Sequence, residues 1–290
     1  MPTITSTPVK IVNELSDEHI KFISEFIYQR SGIVLGESKH YLIESRLKTV
    51  ARVAGMESLS RLCEELSKHQ PQLETLVLDA LTTNETSWFR DNKPYEALEK
   101  IIFPHIQKTK TNQVLQIWSA ACSSGQEPYS IAIKILESGL FKDWHIRIVA
   151  TDISTQMLTQ AKEGMYSQLE VSRGMPVKLL IKYFTQIGDV WKLKSDVCDL
   201  VTFKEHKLQN SPSILGTFDL VFCRNVLIYF DLQTKRTILE HLHGALTASG
   251  LLALGGSEST LNLSDKYEPV RLLNAVYYAK ADTKHSWQNT

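Results

Sequence analysis

The chain has 290 residues, 43% of them hydrophobic and 22% charged, with only 13 Gly and 9 Pro, which excludes a fibrous or disordered protein. Lys plus Arg and Asp plus Glu are both 32, so the formal net charge is zero; a general nucleic-acid binder, whose affinity comes from clustered positive charge, is not expected. The amino terminus has no charged-then-apolar signal pattern and no apolar run approaches the roughly 20 residues that span a bilayer, so a cytoplasmic protein without membrane insertion is expected. Cys63, Cys122, Cys198 and Cys223 form no CxxC pair, and neither a metal site nor a disulfide framework is indicated.

From Asp17 to about Leu81 apolar residues recur at helical spacing: Ile20, Ile23, Phe26 and Ile27; Tyr41, Leu42, Leu47, Val50 and Val53; Leu59, Leu62 and Leu66; Leu73, Leu76, Val77 and Leu81. Breaks at "SGIVLGESK", "AGMES" and "SKHQPQ" divide this region into about four helices, with caps expected at Ser16 and Ser58. Residues 1–80 read as a helical domain. Between residues 39 and 52, Lys39, Arg46, Lys48 and Arg52 face the single acid Glu44, a pattern open to two readings, a solvated helix or a basic docking face. Residues 81–95 form a linker around the polar stretch "TTNETSWFRD", in which Trp88 and Phe89 are suited either to stacking on a ligand or to packing.

After residue 95 the pattern changes. "VLQIWSAA", "HIRIVATD", "FDLVFCRN" and "GLLALGGS" are short apolar runs separated by helix-like segments, which predicts an α/β domain over 96–290 with a parallel sheet. Its ligands should sit at the carboxyl ends of the strands. Alternation around a Gly188-Asp189 turn predicts a small antiparallel β insertion at about 183–206.

The first of these strands ends in "ACSSGQEPYS", which lacks both the Walker GK[ST] and the GxGxxG pattern. Ala120, Ala121, Ser123, Ser124 and Gly125 permit close backbone approach, while Glu127 at the next helix start suits a cationic ligand head better than a phosphate. The second strand ends at Asp152, where an acid accepts hydrogen bonds from ribose hydroxyls. A ribose-bearing cofactor with a cationic amino group and no phosphate describes S-adenosylmethionine. Taken singly, each feature has an ordinary alternative: tight βα turns need small residues, and Asp152 with Ser154 also fits helix capping.

In order and spacing, "TTNETSWFRD", "WSAACSSGQEPYS", "ATDIS", "FDLVFCRNVLIYFD" and "GGSES" resemble the CheR family, the chemotaxis receptor glutamate O-methyltransferases, over roughly residues 15 to 280. The resemblance implies a class I S-adenosylmethionine-dependent methyltransferase fold, Rossmann-like, with a small antiparallel β insertion and an all-α N-terminal domain that docks on receptors. It implies that Asn84, Thr86 and Arg90 reach the cofactor from the linker, that Glu127 lies beside its methionine part and that Asp152 takes the ribose. It further implies that Lys207 and Leu208 flank the adenine, that Arg224 with Asn225 closes the pocket, and that Arg90 and Tyr229 are catalytic. Two positions depart from the family pattern: "GQEPYS" stands where "GEEPYS" is common, and Lys207-Leu208 where "NL" is common, which leaves a side-chain contact at Lys207 in question.

The implied reaction transfers methyl from S-adenosylmethionine to glutamate carboxylates of methyl-accepting chemotaxis receptors, leaving methyl esters and S-adenosylhomocysteine. A glutamate is already ionised at neutral pH, so no general base is required, in keeping with the absence of a His or Cys nucleophile constellation from the motifs. A monomer is expected. Two alternatives stay open: a cofactor-binding signalling module, and a methyltransferase with a different protein substrate. The "NPPY"-like motif of nucleic-acid amino methyltransferases is not matched by "CRNV".

Overall fold

The computed structural model describes residues 15–36, 40–281, 283 and 287. The chain divides into two compact units, residues 1–83 and 84–290.

The smaller unit contains α1 (Asp17–Ser31), α2 (His40–Val53), α3 (Leu59–Leu66) and α4 (Pro71–Leu81). Ser16 and Ser58 cap α1 and α3 as expected, each accepting a backbone N–H three residues on, while Gly32 ends α1 in the left-handed conformation. Ile23, Ile27, Ile43, Leu47, Leu62 and Val77 anchor the core. Tyr41 and Val53 face outward instead, because the buried stripe of α2 runs through Ile43, Leu47, Val50 and Ala51, at the i, i+4, i+7, i+8 spacing of one helical face. Arg46 is not a free surface cation: its guanidinium donates to the carbonyls of Ala80, Leu81 and Thr82 at 3.3, 3.2 and 2.8 Å, satisfying orphan carbonyls at the end of α4. Lys39 lies outside the described residues.

The larger unit opens with α5 (Lys93–Ala97), a π turn (Leu98–Ile102) and α6 (Phe103–Thr109). Strands β1 (Val114–Ala120) and β2 (His145–Asp152) follow, each leading into a helix, α7 (Gln126–Ser138) and α8 (Thr155–Glu163). Next come β3 (Met165–Ser167), α9 (Gln168–Ser172), α10 (Val177–Tyr183), β4 (Phe184–Ile187), β5 (Val190–Leu193), α11 (Ser195–Cys198) and β6 (Val201–Glu205). The chain closes with β7 (Phe218–Cys223), α12 (Leu232–Ala245), β8 (Leu246–Leu254), β9 (Tyr267–Leu272) and β10 (Ala275–Lys280). The main sheet has the order β6-β2-β1-β7-β8-β10-β9; the first five strands are parallel and β10 is antiparallel to both neighbours. Ile117, Ile148, Leu220 and Leu251 fill the centre of the sheet as apolar runs buried on both faces.

The β insertion differs from the expected 183–206. Its sheet has the order β3-β5-β4, so it begins at Met165, and Val201–Glu205 pairs in parallel with β2 at the edge of the main sheet. Trp88 ties this insertion down: its buried ring meets Tyr166 and Phe184 edge-on, at 4.9 and 5.3 Å between centroids. Phe89 packs on Tyr95 at 5.5 Å. Both aromatics are core residues of this unit.

The strand order reverses between β1 and β7, which puts the ligand crevice of an open α/β sheet at their carboxyl ends.

Candidate active site

The loop after β1 takes its shape from unusual backbone. Ala121 and Ser123 have φ of 59° and 49°, in the left-handed region sparsely used by residues with a Cβ, and Gly125 has φ of 93°. A methyl group at Gly125 would lie 3.0 Å from the Ala161 Cβ and 3.2 Å from the Tyr166 hydroxyl, so only glycine fits there. Fixed partners hold this strained loop. Cys122 N–H donates to the Thr151 carbonyl at 2.9 Å, the Ser123 hydroxyl to the Asn84 carbonyl at 2.8 Å, and the Tyr166 hydroxyl to the Ser124 carbonyl at 2.8 Å.

Asp152, buried at the tip of β2, braces the same loop: Ser123 N–H donates to one of its oxygens at 2.7 Å and Ser154 N–H to the other at 2.9 Å. The cap of α8 is Ser154, whose hydroxyl accepts Met157 N–H; the aspartate fixes the geometry of the β1 and β2 tips. Its carbonyl accepts His206 N–H at 3.0 Å, which brings Lys207 and Leu208 to the same sheet edge. Leu208 is buried and its carbonyl meets His241 Nδ1 at 3.2 Å, whereas Lys207 is half-buried.

Facing this wall, Arg224 at the end of β7 has a side chain only 1% exposed. Its guanidinium donates to Asp91 at 2.6 Å, to the Arg90 carbonyl at 3.0 Å and to Glu127 at 3.4 Å, and lies 5.9 Å from the Tyr95 ring centre. Glu127, in the first turn of α7, also accepts the Ser119 hydroxyl at 2.8 Å. Burial raises its carboxyl above the usual range, outweighing the pull of Arg224 and the Ser119 hydrogen bond.

Asn225 has φ of 57° and a buried Oδ1 with no hydrogen-bond partner. Tyr229 closes a short 3-10 turn (Leu227–Tyr229) and is half-buried. In the 84–92 segment, Arg90 donates to the Glu85 carbonyl at 3.0 Å, and Asn84 and Thr86 are half-buried. Cys122 and Cys223 are fully enclosed, with burial pushing both thiols well up, which makes them packing residues and not nucleophiles.

The hydrogen bonds thus form two sets at the carboxyl ends of the strands: Asn84 and Asp152 joined through Ser123, and Glu127, Asp91 and the Arg90 carbonyl joined through Arg224. Four further residues of the site have roles that the sequence alone does not announce. Ser119, Ser123 and Asp91 lie inside motifs already noticed, but their roles depend on where the chain returns. Glu258 in "GGSES" is the fourth: Asn225 and Gly255 N–H reach one of its oxygens, and Val226 and Leu227 N–H the other, at 2.7 to 2.9 Å.

A cavity of about 290 Å³ opens beside Arg224, lined also by Asp91, Lys93, Gly255, Glu258 and Tyr278. A larger one of about 550 Å³ lies between residues 87–92 and Arg173, Gly174, Pro176 and Leu179; it shares Asp91 with the first, and neither cavity is lined by Glu127 or Asp152. Among the described residues no group of His, Cys, Asp and Glu is placed to hold a metal, and no helix is long and apolar enough to cross a membrane.

Glu127, Asp152 and the orphaned Asn225 Oδ1 are acceptors, which suits a ligand bringing its own donors, such as an ammonium group and a pair of hydroxyls. With the strand order, these acceptors fit the ligand of an S-adenosylmethionine-dependent methyltransferase, and the family match shows that class. Residues 84–276 match the CheR methyltransferase, SAM binding domain, and residues 18–82 the CheR methyltransferase, all-alpha domain. Chemotaxis protein methyltransferase 1 of Pseudomonas aeruginosa is 44% identical over 259 residues, covering 87% of this chain and 94% of that protein. The chemotaxis protein methyltransferase of Vibrio parahaemolyticus is 40% identical over 271 residues, covering 91% and 97%. Among solved structures, an S-adenosylmethionine-dependent methyltransferase of Clostridium acetobutylicum covers 66% of this chain and 63% of that one at 15% identity, with a TM-score of 0.34, too distant to add weight. The chain belongs to the CheR methyltransferase family.

Proposed function

We propose that the protein methylates glutamate side-chain carboxylates of chemotaxis receptors, as a protein-glutamate O-methyltransferase, and that Glu127, Asp152 and Arg224 form the centre of its cofactor pocket. The observation that carries this reading is the buried Arg224 joining Glu127 to the more exposed Asp91, at the same carboxyl edge of the sheet as the braced Asp152. S-adenosylmethionine, when bound, supplies an electrophilic methyl group whose C–S bond breaks, with the electron pair staying on sulfur, as the new O–C bond forms.

The chain's own residues orient and shield. Asp152, held by two backbone N–H groups, presents its carboxylate to ribose hydroxyls without having to reorganise. Glu127 attracts the amino group of the methionine part; Arg224, already engaged by Asp91 and Glu127, acts by holding Glu127 in place rather than by gripping the ligand's carboxylate. Asn225 Oδ1 offers a further acceptor, and Lys207 and Leu208 flank the adenine through backbone and apolar surface. Asn84, Thr86 and Arg90 complete the pocket from the 84–92 segment. Arg90 and Tyr229 position the incoming carboxylate, which needs no base because it is ionised at neutral pH. Strong neutralisation of that carboxylate would slow attack, so alignment is their main contribution.

On the helical unit, the occupied Arg46 leaves Lys48 and Arg52 as the α2 cations offered to an acidic receptor surface. The protein acts as a monomer. The test is transfer of labelled methyl to a chemoreceptor: the label should be released by mild alkali and map to glutamate, and alkali-stable label would rule out the ester.

A further inference from the structure

We propose that Glu258 is the positioning residue of the active-site loop after β7, acting through Asn225 and Tyr229. This rests on the methyltransferase reading for its kinetic consequence, though not for its geometry.

Its carboxylate gathers four backbone N–H groups: Asn225 and Gly255, both at 2.7 Å on one oxygen, and Val226 at 2.9 Å and Leu227 at 2.7 Å on the other. Charge-assisted bonds of this kind are about twice as strong as neutral ones. The side chain reaches them because Gly255 to Glu258 makes a tight turn, Glu258 N–H donating to the Gly255 carbonyl at 2.9 Å. Val226 and Leu227 are the N-terminal donors of the 3-10 turn that ends at Tyr229, so the carboxylate also caps that turn. Without it, three consecutive N–H groups and the left-handed Asn225, φ 57°, would have to find other partners. Gly255 is part of the same clamp: a Cβ there would lie 2.7 Å from Asn225 Nδ2 and from the Glu258 carboxylate. Glu258 makes these contacts with backbone and therefore sets where Asn225 and Tyr229 point without touching the reacting atoms.

Glu258→Gln keeps the shape but turns an amide N–H₂ toward two of the four donors. The variant should stay folded, with an unfolding transition as cooperative as the wild type's. The Val226 and Leu227 amides should exchange with solvent about tenfold or more faster. The kcat for receptor methylation should fall about 100-fold, the cost of misplacing reacting groups by about an ångström, while S-adenosylhomocysteine affinity falls by no more than about tenfold, the worth of the one hydrogen bond carried by Asn225, because Asp152 and Glu127 are separate from the clamp. Gly255→Ala, which crowds the clamp without removing charge, should move kcat in the same direction. A kcat within about threefold of wild type in folded Glu258→Gln overturns the proposal, as does a loss matched by equal loss of cofactor-product affinity. Unchanged amide exchange overturns it even if no receptor is methylated; a wild type that binds S-adenosylhomocysteine yet forms no methyl ester counts against the proposed function and leaves the exchange result to decide the clamp.

Discussion

The Arg224 guanidinium, almost fully enclosed, stands 3.4 Å from Glu127 and 2.6 Å from Asp91, so that one cation joins the first turn of α7 to the segment preceding α5. Removing a buried partner strands the other charge, at a cost of about 3–5 kcal/mol. Arg224→Met should therefore lower stability by about 3 kcal/mol at pH 8 in denaturant unfolding. The loss should shrink on acidification, because protonating Glu127 removes the uncompensated charge, and the double variant with Glu127→Gln should recover most of it.

Glu127 itself carries a pH dependence. Its folded-state carboxyl is raised, so its contribution to stability is fully present below the ordinary carboxylate range and is lost as pH rises through the raised value. Ligand-free Glu127→Gln should then be destabilised less than Arg224→Met at pH 7 to 8, because the ionised Glu127 is itself disfavoured by burial and Arg224 keeps Asp91 at 2.6 Å. The cationic ligand head needs the ionised form, so S-adenosylhomocysteine binding to wild type should weaken as pH falls through the raised value. In Glu127→Gln, affinity at neutral pH should be about tenfold or more lower, the worth of a charge-assisted hydrogen bond, and flat across that range. Calorimetric titrations at several pH values measure both.

Gly174 and Gly188 offer a paired test of packing. Both have positive φ, 100° and 59°, but a Cβ at Gly174 would overlap the Trp88 carbonyl oxygen, whereas Gly188, in the β4–β5 turn, has nothing within 4 Å. Gly188→Ala should cost about 1 kcal/mol, the left-handed penalty alone. Gly174→Ala should cost about 3 kcal/mol or more, because Trp88 anchors the insertion through Tyr166 and Phe184 and cannot move alone. Equal melting temperatures for the two variants would mean that this contact does not matter.

Much of the site could be read from the chain because its parts stand where strands end. "VATD" and "FDLVFC" are buried on both faces and stop abruptly, which places Asp152 and Arg224 at the carboxyl edge of the sheet. The helix caps were equally local. What could not be read depends on distant pairing. Val201–Glu205 alternates like the hairpin before it, yet it pairs with β2, while Met165–Ser167 joins the insertion from about 20 residues upstream. The antiparallel pair β9 and β10 was also not foreseen. Arg46 looked like a docking charge because nothing near it in sequence reveals the end of α4. Glu258 stood in a recognised motif, but its four donors come from two loops, and no spacing within either one encodes that meeting.

The pocket assignment turns on Asp152, which braces the loop and is assigned the ribose. Isothermal calorimetry of S-adenosylhomocysteine with wild type and Asp152→Ala tests it directly. Wild type should bind, and the variant should bind about 10 to 100-fold more weakly, as expected for losing one or two hydrogen bonds to a charged group. Equal affinity for the two proteins would mean that the ribose is not held at the tip of β2 and that the cofactor pocket lies elsewhere.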